Sequence, residues 1–186
     1  MLETIRIAPG ALTAALVFGA IDAGLWGLFP VYAVRSGYHE TNAALAITAT
    51  SMGSLLFQWP LGQLADRMDR RRLLIICASC GVVGAVLTPF LAPYPLALYT
   101  LLFLWGGMVM GIYTIGLTLL GQTFKGAELA NANAAYVMLY ATGLLAGPSL
   151  EGFALDLWNP TGLMAVLAAI SLIYVTFLGP GRRQQG

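Results

Sequence analysis

Apolar residues run along this chain in six long blocks, at residues 9–34, 42–65, 73–91, 96–124, 130–155 and 161–178. Each is close to the roughly 20 residues a helix needs to cross the hydrocarbon core of a bilayer. Polar or helix-breaking residues separate them: Arg35-Ser36-Gly37-Tyr38-His39-Glu40, the charged run 66–72, Pro93 with Pro95, Lys125-Gly126 and Asn159-Pro160. The pattern predicts an all-α membrane protein of six transmembrane helices, one unit over residues 1–186. Every connection is short, so successive helices are expected to be antiparallel neighbours. The first apolar run is too long for the core of a cleaved signal peptide and reads as a span.

Composition moves the picture in the same direction. The chain is 59% hydrophobic and only 9% charged, against roughly 25% charged residues in a soluble domain. So few charges cannot coat a water-facing surface, and the lipid bilayer is the expected solvent. A net charge of +1 gives no sign of nucleic-acid binding. The placement of the basic residues says more than their sum. With the 66–72 loop inside, six spans put Arg6, Arg67, Arg70, Arg71, Arg72, Lys125, Arg182 and Arg183 on the same side and only Arg35 outside. Cytoplasmic loops collect Lys and Arg, so both termini are expected in the cytoplasm. The 22 glycines add a packing signal. Helices in lipid associate through small residues, and Gly107-x-x-x-Gly111 and Gly143-x-x-x-Gly147 are spaced for close packing.

The loop carries a resemblance. Gly62-Gln63-Leu64-Ala65-Asp66-Arg67-Met68-Asp69-Arg70-Arg71 is similar to the signature Gly-x-Leu-Ala-Asp-Arg-x-x-Arg-Arg of the major facilitator superfamily, found between the second and third helices of each six-helix half. One position departs: Asp69 stands where the family usually has glycine, and Asp tolerates turn conformations better than most residues. Gly143-x-x-x-Gly147-Pro148-x-x-x-Gly152 resembles the glycine-proline signature of the fifth helix, whose proline kinks the helix. Leu28-Phe29-Pro30-Val31-Tyr32, Tyr113-Thr114-Ile115-Gly116 and the run from Gly147-Pro148 to Leu155-Asp156 look most like the C-terminal half of a bacterial efflux-type member.

The resemblance implies two inverted three-helix repeats, and a small-molecule substrate moved by alternating access between two six-helix halves. A second half is therefore an implied partner: either a missing N-terminal half or another copy of this chain. The resemblance also implies a conformational-switch loop of Gly62, Asp66, Arg67, Arg70 and Arg71. In it, Asp66 meets a loop arginine and the N-terminal end of the fifth helix. A bacterial inner membrane is the implied location.

The residues themselves suggest a pathway. Asp22 lies near the middle of the first span, where a carboxylate costs roughly 2.5–3.5 kcal/mol on insertion scales. It must face a polar cavity or a partner, or be protonated, and an acid that takes up protons there suits proton coupling. A structural hydrogen bond is the plainer alternative. Asn133, Tyr136, Tyr140, Gly143, Gly147 and Glu151 recur at three- and four-residue steps and share a helix face. Asn133, Tyr136 and Tyr140 are candidate cavity liners, with helix–helix hydrogen bonding as the alternative. Gln58, Tyr113 and Thr114 are further candidates, and Glu151 sits near the outer end, within reach of interfacial water. Cys77 and Cys80 read as two small hydrophobes rather than a metal pair. No hydrolase triad, zinc spacing or phosphate loop appears, so no enzyme, metal or cofactor is expected. The sequence points to a secondary transporter of efflux type. A non-transporting membrane scaffold is the alternative.

Overall fold

The computed structural model describes residues 6–179, and every regular element among them is a helix. Six long helices follow in order. α1 covers Pro9–Arg35, built from an α-helix Pro9–Ala23, a π-helical turn Gly24–Leu28 and a further α-helical stretch Phe29–Arg35. α2 is Glu40–Arg67, α3 Arg70–Leu91, α4 Pro95–Thr123, α5 Gly126–Leu157 and α6 Gly162–Leu178. Three of them, α1, α3 and α4, are long and apolar enough to cross a membrane. α2 and α5, of 28 and 32 residues, are long enough but carry more polar residues, and α6 has 17 residues.

Local chemistry fixes the helix ends. Proline opens α1 and α4, where its missing N–H is no loss and its fixed φ suits the first turn. Only Met68 and Asp69 separate α2 from α3. Asp69 has φ −59 and is the N-cap of α3, its carboxylate accepting from the Arg72 backbone N–H at 2.8 Å. The acid that replaces the family glycine therefore caps a helix, and the turn has no left-handed residue for a glycine to relieve. Gly126, by contrast, opens α5 at φ 57, a backbone region where a side chain would be strained.

The helices do not pack in sequence order. α2 lies mainly on α4 and α1 mainly on α5, while α3 touches both α4 and α6 but scarcely meets α2. The expectation that successive helices are neighbours holds for α3 with α4 and α5 with α6 and is corrected for α2 and α3. A two-residue connection fixes direction, but the small-residue faces choose the partner. Exchanging α1–α3 for α4–α6 maps the α1–α5 contact onto the α2–α4 contact and leaves α3–α6 and α1–α4 in place. Glycine sets the approach in both main contacts. A Cβ on Gly143 would stand 2.8 Å from the Ala20 backbone nitrogen, and one on Gly106 would meet the Thr50 methyl at 2.7 Å. Either substitution would force two backbones apart.

The interior holds one large apolar cluster that draws on all six helices, and a smaller one where α1 begins, α4 ends and α5 begins. Leu96 and Leu145, meanwhile, are more than 80% exposed. Large apolar side chains are spread over the outer faces, as lipid contact requires. Arg182 and Arg183 of the orientation argument lie outside the described residues.

Candidate functional site

A cavity of about 530 Å³ opens between α1, α2, α4 and α5. α1 gives it Phe18, Asp22, Leu25, Trp26 and Phe29; α5 gives it Tyr140. From α2 come the Thr50, Ser51 and Ser54 row and Gln58; from α4 come Met110 and Tyr113. Its walls are thus aromatic and aliphatic, with one carboxylate and a short polar strip facing them. The three hydroxyls of the strip donate back to carbonyls of their own helix, at 2.8–3.1 Å. Each keeps lone pairs to offer a solute.

Asp22 is half-buried and anchored on both oxygens. The Tyr140 hydroxyl donates to Oδ2 at 2.8 Å and the Trp26 indole N–H donates to Oδ1 at 3.0 Å. Trp26 lies four residues along the same helix, so the second bond is local; the first crosses from α5. Two donors thus reach the carboxyl, one on each oxygen. Tyr140 is itself fixed by rings: it stacks on Phe18 at 5.9 Å and meets Tyr113 edge-on at 5.4 Å. The position of the acid is therefore set by a rigid aromatic cluster.

The other expected pathway residues lie elsewhere. Tyr136 is fully buried in the smaller core cluster and donates to the Tyr113 carbonyl at 2.7 Å, holding α5 to α4. Asn133 is exposed on the opposite side of α5 from the buried Ala132 and Ala135. Thr114 is half-buried and bonds back to Met110 outside the cavity lining. Sequence reasoning did not name the Thr50, Ser51 and Ser54 strip. Its signal was present as hydroxyls at three- and four-residue spacing in an apolar span. Cys77 is buried against α4 and Cys80 half-buried beside it; both are free thiols. Among the described residues no group of three or more metal-ligating side chains gathers.

Glu151 overturns the expectation of a side chain reaching interfacial water. It is fully buried, and its carboxyl lies against Gly24 in the π-helical turn of α1. The period of α5 explains this: Gly143, Gly147 and Glu151 lie at four-residue steps on the face that packs on α1.

The family model of the Major Facilitator Superfamily matches residues 11–185. The chain belongs to the major facilitator superfamily. Relatives include an "uncharacterized MFS-type transporter" of Yersinia pseudotuberculosis (strain YPIII), 25% identical over 93% of this chain and 44% of its own length. "Uncharacterized MFS-type transporter YcaD" of Salmonella arizonae is 24% identical over 94% of this chain and 44% of its own. The chain thus spans under half the length of the curated relatives it matches.

The two facilitator motifs can now be located on the bundle. In the loop, Asp66 is exposed and pairs with Arg70 one turn on, at 3.6 Å. Arg70 is largely buried, and its Nε and Nη1 have no partner among the described residues. Arg67 is exposed. Arg71 donates to the Leu178 carbonyl at 3.0 Å and to that of Gly179 at 3.2 Å, at the end of α6. The fifth-helix motif splits in two. Gly143 and Gly147 face α1 at close approach, whereas Gly62 of the loop motif and Gly152 have open space where a Cβ would stand. Pro148 lies inside α5 between them.

Proposed function

We propose that this chain is one six-helix half of a secondary transporter that moves a small molecule across a bacterial inner membrane by alternating access. The cavity at Asp22 carries this reading. Its one carboxylate sits in an aromatic cage within an otherwise apolar bundle, and intramembrane acids of this kind mark substrate or proton paths. Among the lining residues there is no Lys, Arg or His, so the charge balance favours cationic or neutral solutes over anions. Proton coupling through Asp22 and export as the direction of movement are part of the same reading. Asp22 and Tyr140 form the polar centre of the path, while Tyr136 supports it from behind.

The exchange pattern of helix contacts supports two inverted three-helix repeats, with six spans and cytoplasmic termini. Several observations support a second half, either an N-terminal half or a second copy. The cavity has exposed residues such as Trp26 and Leu55 at its rim. Gly62 and Gly152 use their small size against nothing among the described residues. In facilitators that space faces the opposite half, and the loop of Asp66, Arg67, Arg70 and Arg71 acts as the conformational switch.

The test is solute movement in proteoliposomes that hold the assembled transporter, with a proton gradient imposed and small organic cations, neutral solutes and anions compared. Cations or neutral solutes should move, and Asp22→Asn should abolish that movement. Movement indifferent to Asp22→Asn would remove the cavity from the path.

A further inference from the structure

Among the described residues Glu151 is the one charged side chain with no exposed surface. Neither carboxyl oxygen has a hydrogen-bond partner among the described residues, in contrast with the two donors on Asp22. The carboxyl lies flat against Gly24: a Cβ there would stand 2.6 Å from Oε2, 2.8 Å from Cδ and 3.0 Å from Oε1. Any residue larger than glycine would displace it.

Gly24 opens the π-helical turn that ends at Leu28. Such turns insert a residue into a helix and recur at functional sites.

An ionised carboxylate without donors is not stable in an apolar interior; it takes up a proton or gains a counter-charge. No counter-charge is at hand. The ionisable groups of the elements packed on α5 are Asp22, Tyr32 and Arg35 of α1, Tyr99 and Tyr113 of α4, and Tyr174 of α6. None bonds to Glu151. Arg35 is committed to Asp156 at 2.7 Å, and Tyr174 donates to the Gly10 carbonyl. A bound Ca²⁺ or similar ion needs several oxygen ligands, and among the described residues no group of three or more metal-ligating side chains gathers. A neutral acid fits the pocket as it stands.

We infer that Glu151 is a proton-binding site at the α1–α5 contact, loaded while α5 rests on the π-helical turn and emptied to water when that contact opens. The same turn carries Trp26, whose indole holds Asp22. Proton loss at Glu151 therefore loosens the donor that orients the cavity acid. In this way a site outside the cavity sets the geometry within it. This consequence rests on the transport reading; the protonation itself does not.

Infrared spectroscopy of the protein in lipid tests the inference through the carbonyl stretch of a protonated carboxylic acid. Asp22→Asn is the starting protein, because Glu40, Asp66, Asp69, Glu128 and Asp156 are all exposed to solvent. The expected result is a protonated-acid band at neutral pH, removed by adding Glu151→Gln. No such band at neutral pH would overturn the inference. So would loss of the band on adding sodium at fixed pH, which would mark a cation site instead. Should the double variant fail to fold, pH titration of Asp22→Asn alone decides. A band that outlasts the exposed carboxylates supports the inference, and one that vanishes with them overturns it. If the band is present and no solute moves in proteoliposomes holding the parent protein with Asp22 intact, the proton site stands and the transport reading falls.

Discussion

The Tyr140 hydroxyl donates to Asp22 Oδ2 at 2.8 Å, tying α5 to α1 across 118 residues of sequence. This bond is the direct link between the acid in the cavity and the helix that carries Glu151. A hydrogen bond to a charged group contributes roughly 1.5–3 kcal/mol. Tyr140→Phe keeps the ring stack on Phe18 and removes only the donor. It should slow solute movement by about tenfold, the equivalent of roughly 1.4 kcal/mol, while Asp22→Asn abolishes movement. Initial rates in proteoliposomes separate the two. Equal rates for Tyr140→Phe and the parent protein would reduce the bond to a packing detail.

The α1–α5 seam should be intolerant of added volume. Gly143→Val places its side chain against the backbone of residues 16–20. Overpacking costs about 1–3 kcal/mol, and more where backbone blocks relaxation. Thermal unfolding in detergent should fall clearly for Gly143→Val and stay near the parent value for Gly152→Val, whose Cβ meets open space. The opposite order would mean that the seam is not the tight contact.

Asp69 offers a milder test. As N-cap of α3 it accepts from the Arg72 N–H, and loss of such a cap costs about 1 kcal/mol on substitution by alanine but only a few tenths by glycine. Asp69→Gly, which restores the family residue, should therefore unfold close to the parent temperature, with Asp69→Ala below it. If the two variants unfold together, the cap is not what Asp69 contributes.

Asp66 has a different role from Asp22. It is exposed and bonded only locally, to Arg70, and exposed ion pairs contribute about 0–1 kcal/mol to stability. Asp66→Asn should leave unfolding unchanged. Under the switch reading it should nevertheless cut solute movement severalfold, with membrane insertion intact. Normal movement in Asp66→Asn protein would remove the loop from the conformational cycle.

Orientation follows from the basic residues. A cysteine at His39, in the α1–α2 connection, should react with a membrane-impermeant thiol reagent added outside intact cells. One at Glu128, in the first turn of α5, should react only after the membrane is opened. Reversed labelling would invert the topology.

Helix extents were largely legible, because each helix is built on a mainly apolar block with charge, glycine or proline at its ends. Five of the six helices nevertheless run past at least one expected end: α2 begins at Glu40 and reaches Arg67, and α5 begins at Gly126. In these cases amphipathic end turns extend beyond the apolar block, which hydropathy alone does not count. Helix partners were legible only in part: α3 lies on α4 as their short connection suggests, but α2 lies mainly on α4 and α1 on α5, since a short loop constrains direction and not contact. The cavity was read in part. Asp22, Tyr140, Tyr113 and Gln58 line it, but Tyr136 turned inward and Asn133 outward. Both positions sit near the three- and four-residue period, and a shift of one residue in phase separates them. The burial of Glu151 was missed for a related reason. Nearness to a helix end suggested water, while the glycines one and two turns earlier already marked its face as the one that packs.

Arg71 has a mechanical consequence. Its guanidinium clasps the carbonyls of Leu178 and Gly179, so the hinge-like loop after α2 is latched to the far end of the chain's last helix. A torque applied at that loop would be passed directly to the end of α6. Compliance must then come from where the rods are interrupted: the π-helical turn of α1 and the prolines inside α2, α3 and α5. Of these, the α1 interruption alone borders both the half-buried Asp22, just before it, and the buried Glu151, against its first residue. Bending is thus concentrated where protonation can be felt.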